Sequence, residues 1–193
     1  MTFKKTALFF GSFNPVHMGH MIIAQHMLNE SDLQEVWFVV SPHNPLKDKK
    51  TLAPDHDRLF LVQEAIGDHP KMRASTAEFQ LPQPSYTIDT LVHLKEKYPN
   101  RSFSLLMGGD NLKHFHKWKN YEILLRDYEL YVYDRPQTGD TRFDDHPSVH
   151  FFQSTQMNIS ATHVRKLIKK GKSIQFLVPD PVFHAINAST LYR

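Results

Sequence analysis

The chain contains no cysteine, which excludes disulfides, thiolate metal sites and a cysteine nucleophile. That composition suits the cytoplasm, where we expect the protein to work. Apolar runs of the roughly 18 residues that a membrane-spanning helix requires are also missing, so no membrane partner is expected. At the start, Lys4-Lys5 precede an apolar run from Thr6 to Phe10, faintly in the manner of a secretory leader. The run ends at Gly11-Ser12, however, and Asn14-Pro15 follows where a small-residue cleavage site would stand, so it reads as a buried first strand. Charge of one sign is scarce too. The formal net charge is +3, and no concentrated basic stripe marks a nucleic-acid surface. The densest basic run, from Arg165 to Lys170, reads first as the solvated face of a helix. Neither G-x-G-x-x-G nor G-x-x-x-x-G-K-[ST] occurs, which sets aside the standard dinucleotide-binding dehydrogenases and the P-loop proteins.

What is present is an ordinary globular composition, 40% hydrophobic and 22% charged over 193 residues, enough for one domain spanning 1–193. Short apolar runs alternate with helical patterns. Strands are expected at 7–10, 36–40, 72–77, 103–107, 130–133 and 149–152, and helices at 19–29, 55–66, 87–98, 120–126, 160–170 and 181–188. The polar stretch 136–147 is expected to be exposed. This βαβα order predicts an α/β fold, a doubly wound Rossmann-like parallel sheet with helices on both faces. Its last part, from about 159 to 193, is helical. Ligands of such sheets bind at the carboxyl ends of the strands.

Two strings carry the chemistry. The first is Phe10-Gly11-Ser12-Phe13-Asn14-Pro15-Val16-His17-Met18-Gly19-His20, between a strand and a helix. Gly11 suits a tight turn and Pro15 stiffens the loop. Two imidazoles three residues apart face one side of the helix start, where free N–H groups and the helix dipole favour an anion. Gly19 would let a ligand approach the backbone. A catalytic zinc needs a third protein ligand, and with Asn14 where a carboxylate would help, no protein-held metal is expected. The second string is Ile159-Ser160-Ala161-Thr162-His163-Val164-Arg165. Ser160 is a candidate N-cap, and the first turn, the Thr162 hydroxyl and Arg165 could together hold a polyphosphate.

Together, His17-x-Gly19-His20 and Ile159-Ser160-x-Thr162-x-Val164-Arg165 resemble the paired signatures of the HxGH nucleotidyltransferase superfamily. Between them, Pro84-Ser85-Tyr86-Thr87-Ile88-Asp89-Thr90-Leu91, Met107-Gly108-Gly109-Asp110-Asn111-Leu112 and Trp118 are similar to bacterial nicotinate-nucleotide adenylyltransferases. The likeness runs from about residue 6 to 186. Phe10, Asn14 and Ala161 depart from the Gly, Asp and Ser frequent in the family. The resemblance implies transfer of AMP from ATP to nicotinate mononucleotide, giving nicotinate adenine dinucleotide and pyrophosphate. It implies His17, His20, Lys47 and Arg165 as catalytic residues. It implies ATP contacts from Gly11, Ser12, Phe13, Gly19, Gly108, Asp110, Ile159, Ser160, Thr162 and Arg165. Acceptor contacts would come from Asn14, Lys47, Ser85, Tyr86, Thr87, Trp118 and Arg135. Mg²⁺ would be carried mainly by the substrate phosphates.

The implied reaction is physically coherent. A phosphate monoester has a second pKa of about 6, so it is mostly dianionic near neutrality and needs no general base. The difficulty is bringing it against another anion, which calls for positioning and charge neutralisation. Alternatives are a sibling transferase acting on phosphopantetheine or transferring CMP, a non-catalytic nucleotide sensor, and an RNA-binding protein using the basic C-terminal helix. The oligomeric state is open.

Overall fold

The computed structural model describes residues 3–42, 52–134, 142–153 and 158–193. Six strands form one sheet: β1 (Lys4–Gly11), β2 (Glu35–Val40), β3 (Met72–Ser75), β4 (Arg101–Gly108), β5 (Leu130–Asp134) and β6 (Val149–Gln153). Their order is β3-β2-β1-β4-β5-β6 and every pairing is parallel. Among the described residues, seven helices connect or flank the strands: α1 (Met18–Glu30), α2 (Asp55–Ile66), α3 (Thr87–Lys97), α4 (Gly109–Lys113), α5 (Tyr121–Asp127), α6 (Ala161–Lys169) and α7 (Asp180–Asn187). The doubly wound parallel sheet expected from the sequence is therefore the fold. No helix among the described residues is long and apolar enough to cross a membrane.

Every residue of β2 is buried, as a strand covered on both faces requires. Alternation along the strands divides the core in two. Ala7, Phe9, Val36, Phe38 and Val40 join one cluster with residues of α1, α2, α6 and α7, while Leu8, Trp37 and Val39 join the other with residues of α3, α4 and α5. Strand order reverses between β1 and β4, whose register pairs Phe9 with Leu106. Gly11 and Gly108 thus end neighbouring strands at the switch point, where doubly wound sheets open a crevice.

Local differences from expectation have physical causes. The third strand stops at Ser75, and Ala77–Gln80 forms a 3-10 turn instead. The spacing in α2 predicts Leu59, Val62 and Ile66 on one side; the buried stripe is Arg58, Leu61 and Val62, with Leu59 and Ile66 half-buried beside it. Phe143, in the stretch expected to be exposed, is buried with its ring perpendicular to Phe115 at 5.8 Å.

At the amino edge of the sheet, the buried Glu35 carboxylate accepts hydrogen bonds from Lys4, from Trp37 Nε1 at 3.0 Å and from Arg101. Burial alone pushes its pKa up, but the three donors outweigh it and hold the carboxyl below its ordinary 4.5. A depressed native value contributes stability above the unfolded pKa, and that contribution is lost as pH falls through the native one. Glu35→Gln is therefore expected to flatten the acid limb of the stability curve, read as urea midpoints from about pH 6 to about pH 3. An acid limb identical to that of the parent protein would count against this role.

Candidate active site

From Gly11 the chain turns over residues 12–17 into α1. Phe13 takes the left-handed backbone region at φ 44°, which costs about 1–3 kcal/mol for a bulky residue. Its buried ring offsets this by meeting His20, Phe38 and Phe9 at 5.1, 5.4 and 5.9 Å between centroids. A Cβ on Gly11 would lie 2.8 Å from Phe13 Cζ. Gly11 therefore makes room for that ring; the tight turn expected of it falls at Phe13. Because the Phe13 ring belongs to the core, only its backbone can serve a ligand.

His17 is the N-cap of α1, and its backbone N–H donates to His20 Nδ1 at 3.2 Å. An accepting nitrogen carries no proton, so the His20 ring has its N–H at Nε2. The two imidazoles stack with centroids 3.7 Å apart and planes 27° apart, as the three-residue spacing at a helix start predicts. A Cβ on Gly19 would come within 3.1 Å of His17 Nδ1. The missing Cβ at Gly19 thus makes room for the His17 ring.

The second string arrives beside the first. Ser160 caps α6, its Oγ accepting from the His163 N–H at 3.2 Å. Arg165 donates to the Asn14 carbonyl at 2.7 Å, across 151 positions of chain, and to Thr162 Oγ1 at 3.3 Å. The Ile159 carbonyl lies 4.0 Å from where a Gly19 Cβ would stand, and the Met18 N–H donates to Leu177 O. Asn14 Oδ1 accepts from the Ala53 N–H at 3.0 Å, so this buried side chain is engaged in holding the chain ahead of α2.

Beneath these loops sits Arg58, fully buried. Its guanidinium donates to the carbonyls of Ala53, Ser12, Ser41 and Pro42, and to Asp55 Oδ1 at 2.6 Å. A planar fork of five donors suits such a cage of acceptors, which one ammonium could not satisfy. Tyr192, near Arg58 and Arg165, has a buried hydroxyl without a hydrogen-bond partner among the described residues, and burial pushes its pKa up.

Across the switch point, Gly108 is the N-cap of α4 and exposed Asp110 lies in its first turn. Asp110 is thus not the cap of α4. A Cβ on Gly108 would press within 2.9 Å of the Tyr133 ring. On the same face of the sheet as α4, α3 starts with Tyr86 as N-cap and no side-chain cap bond. Lys119 Nζ stands 4.6 Å from the centroid of the exposed Tyr86 ring and pairs with Asp89 at 2.9 Å. This draws Trp118, half-buried against Phe115, toward the start of α3. Ser85 Oγ is buried beside the Glu78 carboxyl, so its hydroxyl faces the protein. Lys47 and Arg135 lie outside the described residues.

The sequence and the fold match known proteins. A family model described as cytidylyltransferase-like matches residues 8–167. Over 191 residues the chain is 50% identical to a Flavobacterium psychrophilum protein named "Probable nicotinate-nucleotide adenylyltransferase", covering 98% of this chain and 99% of that one. The chain belongs to the nicotinate-nucleotide adenylyltransferase family. A Bacteroides fragilis member is 42% identical over 190 residues, covering 98% and 94% of the two chains. The solved Plasmodium falciparum nicotinic acid mononucleotide adenylyltransferase complexed with NaAD superposes with a TM-score of 0.81 at 20% identity, over 98% and 97% of the chains. At that identity the likeness bears on the fold.

Sequence reasoning about this adenylyltransferase missed Arg58 and Glu78. The signal for Arg58 was a cation set among apolar positions on the stripe shared with Leu61 and Val62; Glu78 stood in a segment assigned to no element. Arg58→Lys keeps the charge but leaves several buried carbonyls unsatisfied. It should lower stability by on the order of 3 kcal/mol, measured by urea unfolding, and should reduce adenylyl transfer in the folded fraction. A variant as stable as the parent would remove the clamp from this account.

Proposed function

We propose that the chain transfers the AMP moiety of ATP to nicotinate mononucleotide, forming nicotinate adenine dinucleotide and releasing pyrophosphate, a step of NAD biosynthesis carried out in the cytoplasm. The observation that carries this reading is the meeting of the two signatures at the switch point, with the stacked His17 and His20 rings beside the start of α6. An oxygen of the acceptor phosphate attacks the α-phosphorus of ATP in line. The bond from that phosphorus to the bridging oxygen breaks, and pyrophosphate leaves with its electron pair. No enzyme base and no covalent intermediate are needed. Positioning of the two anions contributes roughly 7–11 kcal/mol in well-oriented systems.

In this reading His20 donates from Nε2 to the phosphate, and His17, Lys47 and Arg165 add donors or charge as it develops. The backbone of Gly11, Ser12 and Phe13, the Gly19 turn, and Ile159, Ser160 and Thr162 line the polyphosphate. Asp110, exposed beyond Gly108, accepts from the ribose hydroxyls. The donors here are imidazoles, hydroxyls, N–H groups and a guanidinium, which suit phosphate oxygens better than a metal. That donor set favours Mg²⁺ held by the polyphosphate and water, supplying further charge neutralisation. Asn14, Ser85, Tyr86, Thr87, Trp118 and Arg135 form the acceptor side, with Trp118 stacking on the pyridine ring. Free N–H groups at the start of α3 and the Thr87 hydroxyl meet the nicotinate carboxylate.

Replacing His20 or His17 by Ala should cut turnover by about 10²–10³-fold with the fold intact by circular dichroism. Near-normal pyrophosphate release from both variants would put the chemistry elsewhere.

A site offering only donors satisfies an acceptor-only carboxylate and leaves an amide NH₂ facing donors. Charge-assisted hydrogen bonds of about 1.5–3 kcal/mol predict a preference of about ten- to 150-fold in kcat/KM for nicotinate mononucleotide over its amide. Competing the two acceptors at one ATP concentration tests this. Equal efficiency would sink the nicotinate assignment and leave adenylyl transfer standing.

A further inference from the structure

Glu78, in the 3-10 turn after β3, is buried. Among the described residues no basic side chain forms an ion pair with it; its neighbours are the hydroxyls of Thr90, Ser41 and Ser85. Proton counting around Thr90 is informative. Its hydroxyl has one proton and two acceptors in reach, Glu78 Oε1 at 3.1 Å and the Tyr86 carbonyl at 3.2 Å. An ionised Glu78 leaves one of these contacts without a proton. A neutral Glu78 removes the conflict: its own O–H donates to Thr90 Oγ1, and Thr90 donates to the Tyr86 carbonyl. Tyr86 is the N-cap of α3, so this relay ends on the turn that precedes Thr87. The remaining neighbour, Ser41, follows directly on β2. The carboxyl thus fastens the start of α3 to the carboxyl edge of the sheet.

We propose that Glu78, held as the neutral acid, is a positioning residue that sets the Ser85–Thr87 turn to receive an anionic acceptor. This rests on the assignment of that turn to the nicotinate carboxylate. Burial without a cation disfavours the charged form and pushes the Glu78 pKa above its ordinary value, an effect the three hydroxyls only partly offset. Neutrality also matters to the ligand. A carboxylate beneath the helix start would oppose the attraction of its N–H groups for an anion, whereas a carboxylic acid leaves that attraction intact.

The test combines kinetics with spectroscopy on the full chain. Glu78→Gln keeps an uncharged side chain with one donor and one acceptor, and Glu78→Leu keeps bulk alone. The expected result is that Glu78→Gln stays within about threefold of the parent for both substrates. Glu78→Leu should raise the acceptor KM about tenfold or more, the worth of one hydrogen bond, and leave the ATP KM within about twofold. The infrared difference between parent and Glu78→Gln should contain a carboxylic-acid C=O band at neutral pH. Three results would overturn the proposal: an unchanged acceptor KM in Glu78→Leu, a rise of both KM values together, or a carboxylate band in place of the acid band. Should Glu78→Leu fail to fold, Glu78→Gln and the infrared band decide, and damage from Gln refutes the neutral acid. A parent protein that does not use nicotinate mononucleotide would refute the acceptor assignment instead, and the infrared result would still report on Glu78.

Discussion

The buried guanidinium of Arg58 is the constraint from which the site's geometry follows. Loops at the carboxyl edge of a parallel sheet must leave the sheet's hydrogen-bond ladder, and their carbonyls lose their partners as they do. Here the carbonyls of Ser12, Ser41, Pro42 and Ala53 converge on one side chain, which ties the exits of β1 and β2 to the entrance of α2. Each satisfied carbonyl avoids a desolvation cost of about 1–3 kcal/mol. From that anchor the connection continues through covalent and hydrogen-bonded links: Ala53 holds Asn14 Oδ1, and the Asn14 carbonyl holds Arg165. Residues from opposite ends of the chain are thereby fixed around the histidine pair.

The fold was largely legible because its elements announce themselves locally. Val36–Val40 is apolar throughout, as a strand covered on both faces must be, and Thr87–Lys97 places Ile88, Leu91 and Leu94 on one buried side with lysines in the last turn. The 3-10 turn at Ala77–Gln80 was not legible, because single turns carry no period. The site was legible as two strings, but the work of individual residues within them was not. Gly11 read as a tight turn and Gly19 as an opening for a ligand; the sequence did not show that each also makes room for an aromatic ring two residues away, a matter of tertiary packing. Arg58 and Glu78 were hidden for a related reason. Apart from Asp55 beside Arg58, their partners are backbone carbonyls and hydroxyls, which leave no charge pattern in the sequence.

Helix starts show how the chain separates stability from binding. Parallel βαβ topology puts the amino ends of helices at the same edge as the carboxyl ends of strands, so positive dipole ends gather where anions would bind. Proteins often compensate such ends with an acidic residue. Among the seven helices described, α2, α3, α4, α5 and α7 each carry Asp or Glu in the first turn. The two that carry none are α1 and α6, the helices that open on His17 and Ser160. An acidic residue at either would add about 0.3–1 kcal/mol to stability, and it would also repel a polyphosphate. Leaving these two ends uncompensated, and setting His17, His20 and Arg165 around them, forgoes a little folding energy to keep positive potential for a ligand. The first turn of α3 is intermediate. Its Asp89 carboxylate is paired with Lys119, and if the buried carboxyl of Glu78 behind it is neutral, that end too stays open to an anion.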